Sequence, residues 1–167
     1  MIALRNVLVA TDFSQPSEAA LRYARALAHA FTATLHVLHV VPDSMSLPWT
    51  AVSDAEMATK LQQDWEREAR ERLELLVSAR DRSVLRVRLA VRSGDPVSRI
   101  DEYAASNAID LIVIGTRGRG LVAHLLLGGV AERVVRTAPC PVMTVRQPQH
   151  EFVTEALEPR ARVEVCA

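Results

Sequence analysis

Apolar residues in this chain fall in short, nearly unbroken runs, separated by longer stretches in which they recur every three or four positions. Asn6–Ala10 (NVLVA) is the first run, apolar on both parities, as expected of a strand covered on both faces. Thr11-Asp12-Phe13-Ser14 and Pro16 then form a helix start, with Ser14 as the expected cap and proline in the first turn. Ala20, Ala24, Leu27 and Phe31 follow at helical spacing, and Thr34–Val41 (TLHVLHVV) is a second strand ended by Pro42.

Residues 43–52, stiffened by Pro48, read as a loop. Ser53-Asp54-Ala55-Glu56 has the form of a capping box and predicts a long helix, with Leu61, Trp65, Ala69, Leu73 and Leu76 on its apolar face. Glu66 with Arg70 and Glu68 with Arg72 are i,i+4 pairs for its wet side. Residues 84–91 (VLRVRLAV) predict a third strand, whose arginines at 86 and 88 share one parity while Val87 and Leu89 share the other. Burial on one side only is the mark of a sheet edge. Asp95 and Pro96 open a helix that buries Val97, Ile100 and Ala104; residues 110–114 (DLIVI) are a fourth strand, running into a glycine-punctuated loop over 115–129. A helix over Gly129–Thr137 and a fifth strand over 141–145 (PVMTV) complete the pattern. Beyond it, acidic residues at 151, 155 and 158 without periodicity read as a tail, with residues 162–165 able to add an edge strand. The expected organisation is a domain over residues 1–147 and a tail over 148–167.

Strand and helix thus alternate five times with short connections. Right-handed crossovers make that an open parallel sheet with helices on both faces, an α/β domain. Ligands of such sheets bind beyond the carboxyl ends of the strands, where the winding reverses. The two loops of unusual chemistry at such ends are residues 10–14 and 115–129, and they face each other if the first and fourth strands are neighbours.

A chain of 167 residues with 24% charged positions fits one globular domain. Twenty basic and 20 acidic residues leave no broad cationic face for nucleic acid or acidic membranes, and no apolar run is long enough to span a bilayer. Residues 1–6 show no signal-peptide layout, so a cytoplasmic protein is expected. Of the two cysteines, Cys140 reads as a small buried hydrophobe, and Cys166 lies in the tail. Lys60 is the only lysine and no glycine precedes it, which excludes a P-loop; its place in a charged helix argues against Schiff-base chemistry.

Five of the six glycines, Gly115, Gly118, Gly120, Gly128 and Gly129, crowd into one loop. Glycine lets the backbone approach closely and turn its amides round an anion, and the helix that follows adds its free N–H groups. Arg117 and Arg119 can add charge-assisted bonds, so phosphate binding is the functional reading, against a loop that needs glycine only to turn. Residues 118–123 (GRGLVA) also fit the dinucleotide pattern, but that fingerprint belongs after the first strand, with an acidic residue some 20 positions on, where this chain has Ala138 and Met143. His36 and His39, three apart on a strand, face opposite sides and share no metal, and His124 reads as an exposed loop residue. No GxSxG, HExxH or CxxC occurs. Asp12 is left as a base-pocket or helix-capping carboxylate.

The spacing Gly115-x2-Gly118-x9-Gly128, followed by Val130 and closing in APCPVMTV, resembles the nucleotide-binding signature of the universal stress protein family. Residues 11–14 (TDFS) and 39–41 (HVV) are similar to the family too, and the resemblance covers residues 5–146. It implies a Rossmann-like, five-stranded parallel sheet in the order 3-2-1-4-5, a homodimer joined through the last strand and, in one branch, ATP binding. Carried over by position, Asp12 and Val40 line an adenine pocket with Ala10 and Thr11 alongside; Ile114 and Gly115 meet the ribose; Gly118, Gly128, Gly129 and Val130 hold phosphates through backbone amides. The family pattern ends Gly-Ser or Gly-Thr where this chain has Gly128-Gly129, which removes a hydroxyl bond to a phosphate oxygen and lowers affinity by roughly tenfold to a hundredfold. The implied function is a stress-response factor modulated by ATP, ADP or AMP, with or without Mg²⁺, and with negligible turnover. The alternatives are a stress protein that binds no nucleotide and acts through dimer or partner contacts, and a slow Mg²⁺-dependent ATP hydrolase using Asp12.

Overall fold

The computed structural model describes residues 3–46, 54–116, 129–146 and 153. Five strands, β1 (Asn6–Ala10), β2 (Thr34–Val41), β3 (Arg86–Ser93), β4 (Leu111–Gly115) and β5 (Val142–Val145), form one parallel sheet in the order β3-β2-β1-β4-β5. The winding runs outward from β1 through β2 to β3, then restarts on its other side with β4 and β5. Expected fold and observed fold agree, and β3 is an edge strand as its one-sided arginines required.

Alternation along the central strands sorts their side chains into two apolar layers. Val7, Val9, Leu35, Val37 and Val113 meet helix α1 (Gln15–Phe31) and the end of α2 (Ala55–Leu76). Leu8, Leu38, Ile112 and Ile114 meet α4 (Pro96–Ser106) and α5 (Gly129–Thr137) on the other face. Both faces are dry, which is why β1 and β4 read as continuous apolar runs rather than alternating ones. Cys140 packs at the margin of the second layer, where burial pushes its thiol pKa up and keeps it protonated.

Several boundaries differ from the sequence reading, among them the starts of three strands and one helix, while β3 and β4 run on to Ser93 and Gly115. A short helix, α3 (Ala79–Val84), precedes β3, which therefore starts at Arg86 and not at residue 84. Ser78 nucleates α3 with a reciprocal cap: its hydroxyl accepts the Asp81 N–H at 3.1 Å while the Asp81 carboxylate accepts the Ser78 N–H at 3.0 Å. Arg25 of α1 then ties α3 down, ion-paired to Asp81 at 3.2 Å. The N-cap of α2 is Asp54, which accepts the Met57 N–H at 2.8 Å, rather than Ser53, which lies outside the described residues. The fourth strand begins at Leu111; just before it, the Asp110 N–H donates to the Asn6 carbonyl at 2.9 Å and its carboxylate accepts the N–H groups of Arg5 and Asn6 at 2.7 and 2.9 Å. The fifth begins at Val142, since Pro141 has no N–H to give to a ladder.

Candidate functional site

The turn after β1 is fixed by its own polar side chains. Phe13 takes the left-handed backbone at φ 60°, strained for an aromatic residue, and its N–H is held by the Thr11 hydroxyl at 3.0 Å. The buried Ser17 hydroxyl donates to the Ser14 carbonyl at 2.8 Å, so at its 3.0 Å contact with the Thr11 hydroxyl it is the acceptor. The Phe13 ring rests against His39 with centroids 4.4 Å apart, and the Arg72 guanidinium lies 3.9 Å from the same ring centroid. His39 in turn donates its Nδ1–H to the Thr11 carbonyl at 2.7 Å.

Ser14 sits at the cap position of α1 with extended backbone, but its side chain does not cap the helix. Instead the Asp12 carboxylate accepts both the Ser14 N–H, at 3.0 Å, and the Ser14 hydroxyl. The expected cap is thus replaced by a turn that orients Asp12.

At the end of β4, a Cβ on Gly115 would stand 2.6 Å from the Pro16 carbonyl oxygen. Close approach of β4 to the first turn of α1 requires this glycine. Gly129, the first residue of α5, is different: a Cβ there meets no atom of the described residues within 4 Å.

These pieces enclose a cavity of about 490 Å³ at the carboxyl ends of the strands, where the winding reverses. Ala10 lines it from β1, Thr11 and Asp12 from the turn that follows, Val40 from β2, Ile114 and Gly115 from β4, and Gly129 and Val130 from α5. Of the ten positions singled out in the sequence, these eight lie together, while Gly118 and Gly128 fall outside the described residues, as do Arg117, Arg119, Gly120 and His124.

Sequence reasoning missed several lining residues. Leu38 and Ile100 supply apolar wall, and Ser17 and His39 carry the polar network above. Arg133, from the second turn of α5, reaches the rim and pairs with Asp95, the N-cap of α4, with Nη1–Oδ1 and Nη2–Oδ2 distances of 3.4 and 3.5 Å. Hydrogen bonds from the Ser98 N–H and hydroxyl, with Arg133 beyond them, hold the Asp95 carboxyl below the usual carboxylate range. Arg133's position four residues after Gly129 was the available signal, since i and i+4 share a helix face.

His36 lies away from the cavity, buried beneath α4. Its Nδ1 accepts from the Tyr103 hydroxyl at 3.0 Å. The Asn6 amide donates to the Ala108 carbonyl, which leaves its oxygen to accept the His36 Nε2–H at 3.4 Å. Burial first, and Arg88 second, push the His36 pKa down to about 4, so the ring is neutral. Among the described residues, no three His, Cys, Asp or Glu side chains gather as a metal site would need, and no helix is long and apolar enough to cross a membrane.

Residues 3–146 match the model of the universal stress protein family. The universal stress protein MJ0531 of Methanocaldococcus jannaschii is 31% identical over 147 residues, an alignment spanning 88% of this chain and 85% of that one. Among solved structures, the universal stress protein UspA of Lactobacillus plantarum superposes with a TM-score of 0.69 at 28% identity, covering 87% of this chain and all of that one. A universal stress protein solved in complex with cAMP superposes with a TM-score of 0.55 at 26% identity, covering 86% of this chain and 98% of that one.

Proposed function

The chain belongs to the universal stress protein family, and from that premise we propose that it binds an adenine nucleotide, ATP, ADP or AMP, in the cavity at the carboxyl ends of β1, β2 and β4. The observation that carries this reading is that one cavity combines apolar walls and an oriented carboxylate with the start of a helix and a guanidinium. Leu38, Val40, Ile100 and Ile114 supply apolar walls, and the oriented carboxylate of Asp12 belongs to the same lining. That suits a flat base with an exocyclic amino group to donate. The lining also takes in the start of α5 at Gly129 and Val130, whose first-turn amides have no partner within the helix, and the Arg133 guanidinium. That suits phosphate. Ile114 and Gly115, at the end of β4, are assigned to the ribose, and Gly118 and Gly128 complete the expected phosphate set. The volume is within the range of small-molecule sites, and the relative solved with cAMP supports an adenine nucleotide as the ligand class.

The nucleotide acts in this reading as a ligand that stabilises one conformation. Asp12 is the one carboxylate among the described lining residues, and it is engaged by Ser14. Mg²⁺ would accompany the phosphates of ATP. Multiple turnovers per minute by purified protein, lost in Asp12→Asn, would favour the hydrolase instead.

Gly129 favours a second reading, in which the protein acts through partner contacts without nucleotide, because no hydroxyl is present at that position. Thermal-shift titration with ATP, ADP, AMP and NAD, with and without Mg²⁺, on wild type and Gly129→Ser separates the two. Ligand at about 100 times its Kd stabilises by roughly 2.7 kcal/mol, a clear shift. A shift with adenine nucleotides that grows in Gly129→Ser supports the proposal. No shift in either protein transfers support to the partner-binding reading.

A further inference from the structure

Arg133 is the one arginine or lysine among the described residues that line the cavity. It stands four positions after Gly129 and so on the same face of α5, one turn on. Side chains on a helix lean back over the turn that precedes them, which directs the Arg133 guanidinium toward the first turn of α5. Among the described residues, even a Cβ at Gly129 would meet nothing there within 4 Å.

Its present partner holds it loosely. Both nitrogens face the Asp95 carboxylate in a fork, but at 3.4 and 3.5 Å, and the two side chains are 60% and 45% exposed. Asp95 has no need of Arg133 to stay in place: its Oδ2 accepts the Ser98 N–H and hydroxyl at 3.0 and 2.9 Å. An exposed pair of this kind contributes little to stability. A phosphate group offers the same planar fork two acceptors carrying more charge, and a guanidinium, always ionised, matches that geometry.

We propose that Arg133 is the residue by which this cavity discriminates phosphorylated from unphosphorylated adenine compounds, as a movable cation that leaves Asp95 for the phosphate of the bound nucleotide. The proposal rests on the nucleotide reading above and gives a side-chain phosphate ligand to a chain that has glycine at position 129. Asp95 is then a competitor: its carboxylate occupies the cation in the empty site and repels the incoming anion.

The experiment is calorimetric titration of adenosine, AMP and ATP into the full-length protein, wild type, Arg133→Gln and Asp95→Asn, at low and physiological salt. Asparagine still caps a helix, so Asp95→Asn removes the charge and keeps α4. Arg133→Gln should weaken AMP and ATP by about tenfold or more and leave adenosine unchanged, and the salt dependence of nucleotide binding should fall. Asp95→Asn should tighten AMP and ATP by a few-fold, again without effect on adenosine. Equal loss of adenosine and nucleotide in Arg133→Gln, or no loss of either, would overturn the role of Arg133 while leaving the nucleotide reading intact. Failure of all three compounds to bind wild type would overturn that reading and this proposal with it.

Discussion

A methyl group at Gly115 would stand 2.6 Å from the Pro16 carbonyl oxygen, whereas one at Gly129 would touch none of the described residues within 4 Å. The two glycines look alike in sequence, as members of one glycine-rich loop, yet one is a packing requirement and the other has room for a side chain among the described residues. Gly115→Ala should therefore push β4 from α1 and cost on the order of 2 kcal/mol in chemical denaturation. Gly129→Ser should fold as wild type does and bind nucleotide about tenfold more tightly; a destabilised Gly129→Ser would contradict the open space. Spacing could mark both positions as part of a loop, but only the approach of α1 separates their roles. His36 is a second case. Its pKa falls from 6.5 to about 4 on folding, so between those values the unfolded chain binds a proton that the native chain refuses. Stability from this group is whole above pH 6.5 and lost progressively as pH falls toward 4, by about 3 kcal/mol. Denaturation at pH 7 and 4.5 should show a smaller drop for His36→Asn than for wild type, and equal drops would refute the assignment.

At the scale of elements, α2 has 22 residues and buries only Ala58, Ala69 and Leu73 among them. Leu73 is the large side chain that holds it to the sheet, fully buried in the layer with α1. Leu73→Ala should cost about 2–5 kcal/mol and raise hydrogen exchange along α2 and β3 before β1 or β4; uniform loss of protection would show that α2 is held elsewhere. The apolar spacing of this helix was legible, with Ala69 and Leu73 at its centre. Its first residue was not, because Ser53 and Asp54 are both good caps and adjacent, and only one can meet the Met57 amide. The short α3 was missed for a different reason: Ala79–Val84 has no buried residue and so no hydrophobic period to find. Its only signal was Ser78 followed three positions later by Asp81, a cap without a face behind it. In α1 the reverse occurred, since Ser14 has the residue type of a cap but its hydroxyl goes to Asp12. Local signals name the candidates, and the neighbouring polar groups choose among them.

For the molecule as a whole, the alternation of dry strands with amphipathic helices was enough to fix the sheet type, and one-sided arginines were enough to put β3 at an edge. The other edge is β5, four residues long and paired on one side with β4. The family resemblance leads us to expect a homodimer through this strand, which sedimentation at micromolar concentration tests; a monomer there would count against it. Deleting residues 149–167 should leave ligand binding intact, since no described part of the cavity comes from them. The winding itself has one more consequence. β1 lies at the centre of the sheet, but its second neighbour, β4, comes late in the chain, and the amide of Arg5 reaches a carboxylate 105 positions away. During synthesis, β1, β2 and β3 can associate while one flank of β1 is still bare, its Val7–Ala10 backbone unsatisfied and its apolar side chains half-covered. A nascent chain stopped near residue 105 should be sticky and dependent on chaperones, and release of 20 to 30 further residues should abolish that dependence. The same late strand covers the bare flank of β1 and brings Ile114 and Gly115 to the cavity, while α5 and β5 follow it, so the hazard on the ribosome ends before the walls of the cavity are complete.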